Sequence, residues 1–187
     1  MKIKSLKKTT YLIITLLFVL MLQNCERDDI CAETTATTPR IIIEFYDVSE
    51  PEDLKSVPKL TVFGEGLITD PIVTSDATIL FNENANAVEL PLIIGAEGEV
   101  TTTRYVLEKD TDLRLDEDTV TNSNIDVIEI SYTSEFVYVS RACGYKSIFN
   151  NLELTFETGM DLAWIDSIQV IETTIENENT VHVHIFH

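Results

Sequence analysis

Behind residue 39, apolar and polar residues alternate with a period of two through most of the chain, the spacing of half-buried strands. Arg40-Ile-Ile-Ile-Glu-Phe-Tyr-Asp47 is dense in β-branched and aromatic residues and predicts a first strand. Lys59–Phe63, Ala77–Phe81, Val88–Ile94 and Thr101–Leu107 predict four more, with Asn82–Asn86 read as a turn and Pro91 marking an edge or a bulge. In the C-terminal half Ile128, Ile130 and Tyr132 share a face opposite Glu129, Ser131 and Thr133. Phe136–Ser140 then reads as the return arm of a hairpin, and Leu152–Phe156 as a further strand. Ile165–Ile175 and Val181–Phe186 flank Glu176–Asn179 as a last hairpin. No amphipathic helix longer than two turns is expected, and turn signals recur about every 8–12 residues. The pattern therefore predicts an all-β fold over residues 40–187, a single antiparallel β-sandwich.

The sandwich is expected to be immunoglobulin-like or a related kind, and it stands behind two segments of different character. Lys2, Lys4, Lys7 and Lys8 precede an uncharged run from Tyr11 to Leu22. Twelve residues are too few for a bilayer-spanning helix, which takes about 20. A cationic start and a short apolar run read instead as an export signal covering residues 1–24. Leu22-Gln-Asn-Cys25 resembles the lipobox of bacterial lipoproteins, in which the cysteine is lipidated and becomes the first residue, although Gln23 and Asn24 replace the usual small residues. The alternative is an ordinary signal peptide cut nearby. Glu26-Arg-Asp-Asp29 resembles the flavobacterial export signal that sends lipoproteins to the outside of the outer membrane; the plain reading of Glu26, Arg27, Asp28 and Asp29 is a solvated tether. Residues 25–39 form that tether, threonine-rich from Cys31 to Pro39.

Charge narrows the partners. Removing residues 1–24 takes four of the 13 basic residues and none of the 32 acidic ones, which moves the formal charge from −19 to −23. Such a surface repels phosphate backbones and anionic headgroups, so no nucleic acid is expected and membrane attachment falls to the lipid.

Cys25-Glu-Arg-Asp-Asp-Ile-Cys31, Thr38-Pro-Arg-Ile-Ile-Ile-Glu-Phe-Tyr-Asp47 and Ser140-Arg-Ala-Cys-Gly-Tyr145 together resemble a family of small Bacteroidota envelope lipoproteins classed as a domain of unknown function. The resemblance implies a secreted, lipid-anchored, β-rich protein, and it transfers no catalytic or ligand residue.

Candidate chemistry is sparse. With Cys25 lipidated, Cys31 and Cys143 remain, and an oxidising compartment favours a bridge between them. The alternatives are two buried thiols or a bond from Cys143 to another molecule. Asp110-Thr-Asp-Leu-Arg-Leu-Asp-Glu-Asp118 is the densest carboxylate stretch. Asp110, Asp112, Asp116 and Asp118 are candidate calcium ligands in a loop of another kind than an EF-hand, which Arg114, Leu115 and Thr121 exclude. A solvated acidic loop is the plain alternative. His182 and His184 fall on one face of a strand and are a candidate metal pair, with Glu172 opposite if the last hairpin is symmetric. The alternative there is a polar outer face, and His187 is expected to fray. Asp118-Thr-Val120 resembles the tripeptide O-glycosylated in Bacteroidota, which makes Thr119 a candidate acceptor; Asp166-Ser-Ile168 matches less well, with Ser167 in a strand.

No enzyme signature is present. All three histidines fall in the last six residues, and Gly64-Glu-Gly66 lacks the further glycine and the lysine of a phosphate loop. The expectation is a non-catalytic lipoprotein of the outer membrane, needing no cofactor and presenting its sandwich to a protein or envelope partner. The alternative is a module for a small ligand or a divalent cation such as calcium.

Overall fold

The structure is a computed structural model that describes residues 30–32, 35, 37–67, 74–116, 122–159 and 162–187. The candidate positions Cys25, Glu26, Arg27, Asp28, Asp29, Asp118 and Thr119 lie outside the described residues. The chain divides into two compact units, one of Met1–Thr35 with Val139–Gly144, the other of Ala36–Tyr138 with Tyr145–His187.

The larger unit is a two-sheet β-sandwich. Its strands are β1 (Ile41–Tyr46), β2 (Val57–Gly64), β3 (Leu80–Ala85), β4 (Ala87–Leu90), β5 (Val100–Lys109), β6 (Asn124–Ser140), β7 (Gly144–Thr158), β8 (Ser167–Val170) and β9 (Val183–Phe186). One sheet has the order β4-β1-β9-β8 and the other β3-β2-β5-β6-β7. Alternation fixes which side chains meet between them. Ile41, Ile43 and Phe45 of β1 and Val183 and Ile185 of β9 pack against Leu60, Val62, Leu107, Ile128 and Ile130 of the facing sheet. Burying side chains of this size contributes about 1.5–3 kcal/mol each, which makes this layer the main source of stability.

The observed strands differ from the expected pattern in three places. β6 runs unbroken through Thr133-Ser-Glu135, so Phe136–Ser140 continues that strand and the hairpin turns only at 141–143. β3 continues through the residues expected to turn, because Asn82 takes a left-handed backbone (φ 54°) as a bulge while its N–H donates to Thr61 Oγ1 at 2.9 Å. The sandwich is also not wholly antiparallel: β1 and β9 pair in parallel, with Ile43 beside Val183 and Phe45 beside Ile185.

One short helix, α1 (Thr111–Leu115), connects β5 to β6. The smaller unit contains the β6–β7 turn. There Cys143 N–H donates to Ser140 Oγ at 3.0 Å, and Gly144 takes φ 70°, a conformation a side chain disfavours.

Candidate functional site

β2 stops pairing with β5 at Gly64, opposite Tyr105, whereas β5 runs on to Val100 at its other end. Among the described residues, the edge of β5 from Val100 to Thr103 is therefore left without a neighbouring strand on that side. A cavity of about 510 Å³ opens at this place. Leu67, Ile79, Pro91 and Ile93 form its apolar walls, and Thr102, Thr103, Arg104 and Tyr105 of β5 its polar floor. The volume lies within the range of small-molecule pockets, which combine apolar walls with a few placed polar groups.

Those polar groups are held firmly. The Tyr105 hydroxyl donates to the Pro91 carbonyl, and burial pushes its pKa up to about 12. Thr103 Oγ1 lies 2.5 Å from the Tyr132 hydroxyl, which donates in turn to the Ile93 carbonyl at 2.7 Å. Arg104 meets three carboxylates: Glu65 at 2.5 Å, Glu157 at 2.8 Å, and Glu129, its register partner on β6. The hydrogen bonds it donates to Glu157, Glu65 and Glu129 raise its pKa, so it stays cationic. The cluster carries two more negative than positive charges. Among the described residues that line this cavity, no nucleophile has an adjacent base.

The expected metal positions are used differently. Among the described residues, no three His, Cys, Asp or Glu side chains stand together as a metal site. Asp110 and Asp112 lie at the start of α1 and Asp116 at its C-terminal cap, so residues 110–116 form a helical turn. Arg114 explains why. Its Nε and Nη2 donate to the carboxylate of Glu108 at 2.5 and 2.9 Å, and Ser123 Oγ donates to the same carboxylate. Glu108 is only 2% exposed, so an ion pair pins α1 onto the outer face of β5. Thr111 Oγ1 adds a bond to Thr61 Oγ1 at 2.8 Å.

His182 and His184 alternate with Val183 and Ile185, whose side chains enter the core, but the two imidazoles have separate partners. His182 is buried, and its Nδ1 accepts the Ile42 N–H at 3.0 Å, which occupies the lone pair a metal would need. Burial holds its pKa below the ordinary histidine value. His184 stacks on Tyr46 at 4.3 Å, and Gln169 is its register partner on β8. Glu172 lies beside His182 and not His184, its N–H donating to the His182 carbonyl at 3.2 Å. His187 does not fray. It is buried against Phe45 and Trp164, its N–H donates to the Tyr46 carbonyl, and its own carbonyl accepts Lys55 Nζ at 2.7 Å. Trp164 is itself in the core, its backbone N–H and that of Ile165 both donating to Asp126 Oδ2 at 2.9 Å.

In the smaller unit Cys31 and Cys143 stand in bonding geometry, with their Cα atoms 4.9 Å apart and 112 residues between them in sequence.

Residues 59–187 match the model of a family of unknown function, DUF6452, and that span is more than half of the chain. This chain belongs to the DUF6452 family. No curated protein and no solved structure matches it. The DUF6452 match begins in β2 and takes in the whole cavity floor, the Glu108–Arg114 pair and Cys143, while β1 and Cys31 precede it. Sequence reasoning missed the cavity because nothing in the local pattern shows where β2 releases β5. It missed Glu108 because alternation assigns that residue to an outer, wet face.

Proposed function

We propose that this DUF6452 protein is a non-catalytic envelope lipoprotein, anchored through Cys25 and displayed at the outer membrane, that presents its sandwich to a protein or envelope partner. The observation that supports it most directly is the Cys31–Cys143 pair. Disulfides persist in oxidising compartments, and this one lies six residues behind the cysteine of the lipobox. The cationic and apolar leader, the Bacteroidota-type lipobox and the acidic residues 26–29 agree with it. Acyl chains contribute about 0.8 kcal/mol per buried methylene, so two or more would hold the domain at a membrane where one would not. Replacing Arg27, Asp28 and Asp29 with alanine should leave the protein acylated but turned toward the periplasm. Equal digestion of wild type and variant by external protease in intact cells would refute surface display.

A second reading has its own support. The 510 Å³ cavity supports a small-ligand module with its site on β5 rather than at the acidic stretch or the histidines. The excess negative charge around Arg104 favours a ligand carrying a cationic group beside an apolar body. Photo-crosslinking from Ile93 separates the readings. A small envelope component captured there, and not from Leu54, supports the second; capture of one reproducible protein supports the first; no product from Ile93 removes the cavity from both.

A further inference from the structure

β5 pairs with β6 only as far as Val100 opposite Thr133, yet β6 continues for seven more residues to Ser140, and β7 begins at Gly144. The end of this hairpin therefore lacks β5 beside it. Along β6 the row Ile128, Ile130, Tyr132 is buried in the core. By alternation the same row goes on through Ser134 to Phe136 and Tyr138, which are 40% and 58% exposed. Tyr145 on β7, 68% exposed, meets Tyr138 edge to face at 5.4 Å. Three large aromatic side chains thus stand in solvent on one two-stranded ribbon.

Charge marks the same stretch. Between Glu135 and Glu153 there is no acidic residue, while Arg141 and Lys146 supply two positive charges. A gap of 17 residues is the longest acid-free stretch behind residue 25 in a chain that otherwise averages about one acid in five. Strong negative charge disfavours contact with a membrane surface, and residues 136–152 add none of it, although a carboxylate reaches the base of the ribbon where Glu97 accepts the Phe136 N–H at 3.5 Å. Tyrosine suits the water–lipid boundary because its ring is apolar and its hydroxyl polar.

Covalent connectivity limits how far the ribbon can lie from the anchor. Cys143 is two residues before Tyr145 and is paired with Cys31, which follows Cys25 by six residues. A fully extended stretch of that length reaches about 20 Å at most.

We infer that Phe136, Tyr138 and Tyr145 form a lipid-docking surface that rests in the headgroup region of the membrane holding the anchor. This inference rests on the lipoprotein reading above. It gives the disulfide a role as a covalent link that keeps Tyr145 within a few residues of the anchored segment.

The test uses full-length protein purified from membranes, processed by its host, and reconstituted into phosphatidylcholine vesicles with or without brominated acyl chains. Tyr138→Trp is the reporter, Leu54→Trp (exposed, and bridged to Tyr46 of β1) the control, and wild-type emission from Trp164 the baseline. Tyr145→Trp replaces the reporter if Tyr138→Trp fails to fold. A mass spectrum of the N-terminal peptide is taken on the same sample. Docking predicts acylated protein whose added reporter emission falls about twofold or more in brominated vesicles, with the control unchanged. Acylated protein with an unquenched reporter, or with reporter and control quenched alike, overturns the docking surface and leaves the anchor standing. Protein without acyl chains overturns both. Protection of Tyr138 that appears in intact cells but not in vesicles assigns the ribbon to a protein partner and overturns the lipid assignment.

Discussion

Arg114→Met is the substitution that tests most sharply how the acidic stretch is built. Arg114 gives Glu108 two hydrogen bonds, at 2.5 and 2.9 Å, and the carboxylate is almost wholly out of water. Methionine fills much of the arginine stem's volume but leaves that carboxylate with Ser123 as its remaining partner among those described above. Breaking a buried pair by removing one member costs about 3–5 kcal/mol, because the stranded charge stays desolvated. That is a large share of the 5–15 kcal/mol total stability of a domain. With a urea dependence of about 2 kcal/mol per molar, the midpoint should fall by about 2 M. Removing both charges, in Glu108→Gln/Arg114→Met, eliminates the stranded carboxylate and should recover at least about half of the loss. The assay is urea unfolding of residues 25–187 carrying Cys25→Ser, followed by Trp164, the only tryptophan and a core residue. A single variant within about 1 kcal/mol of its parent, or a double variant no better than the single one, would refute the reasoning. Millimolar calcium should not rescue Arg114→Met; rescue would show that the carboxylates from Asp110 onward hold a cation after all.

Other expectations follow from the same contacts. Cys143→Ser opens a loop of 112 residues, and on the chain-entropy account should cost about 4–5 kcal/mol in urea unfolding, with wild type under reductant matching it. Non-reducing peptide mapping that recovers Cys31 and Cys143 as separate thiols would rule out the bond. Asp126→Ala strands the buried N–H groups of Trp164 and Ile165 and should cost at least about 2 kcal/mol, read as a lowered midpoint. Stability should also depend on pH in two stages. Burial depresses the pKa of His182 and of His187, so the unfolded chain takes up protons first, and stability is lost as pH falls below about 6.5. Glu178, held at about 2 by Arg40, adds a second loss below about pH 4.5. Melting temperatures of His182→Gln should show a shallower first stage than wild type; an unchanged slope would contradict the assignment.

The fold class was legible because strand alternation reports burial directly: Ile41, Ile43 and Phe45, or Ile128, Ile130 and Tyr132, enter the core as their spacing predicts. Strand lengths were less legible. Thr133-Ser-Glu135 has turn composition but lies in β6, where backbone pairing with β7 overrides local preference. Asn82 looks like a turn residue because it does adopt a left-handed backbone, but one bulge is all it makes. The parallel pairing of β1 with β9 joins the two ends of the domain and leaves no local trace. Candidate chemistry was read from residue type, and three-dimensional partners reassigned it. The lone pair of His182 Nδ1 serves Ile42, and the charge of Arg114 serves Glu108 from the middle of a stretch selected for its acids. The cavity on β5 depends on where one strand lets go of another, which a linear pattern does not encode.

The central claim is that the chain is exported and held at a membrane by Cys25. The most direct measurement is the mass of the N-terminal peptide from protein isolated out of its own membranes, with detergent partitioning of Cys25→Ala beside it. The account predicts a peptide beginning at Cys25 and carrying acyl chains, and a variant that leaves the detergent phase or keeps its leader. A peptide that begins elsewhere without acyl groups, or a variant that partitions as wild type does, would contradict it.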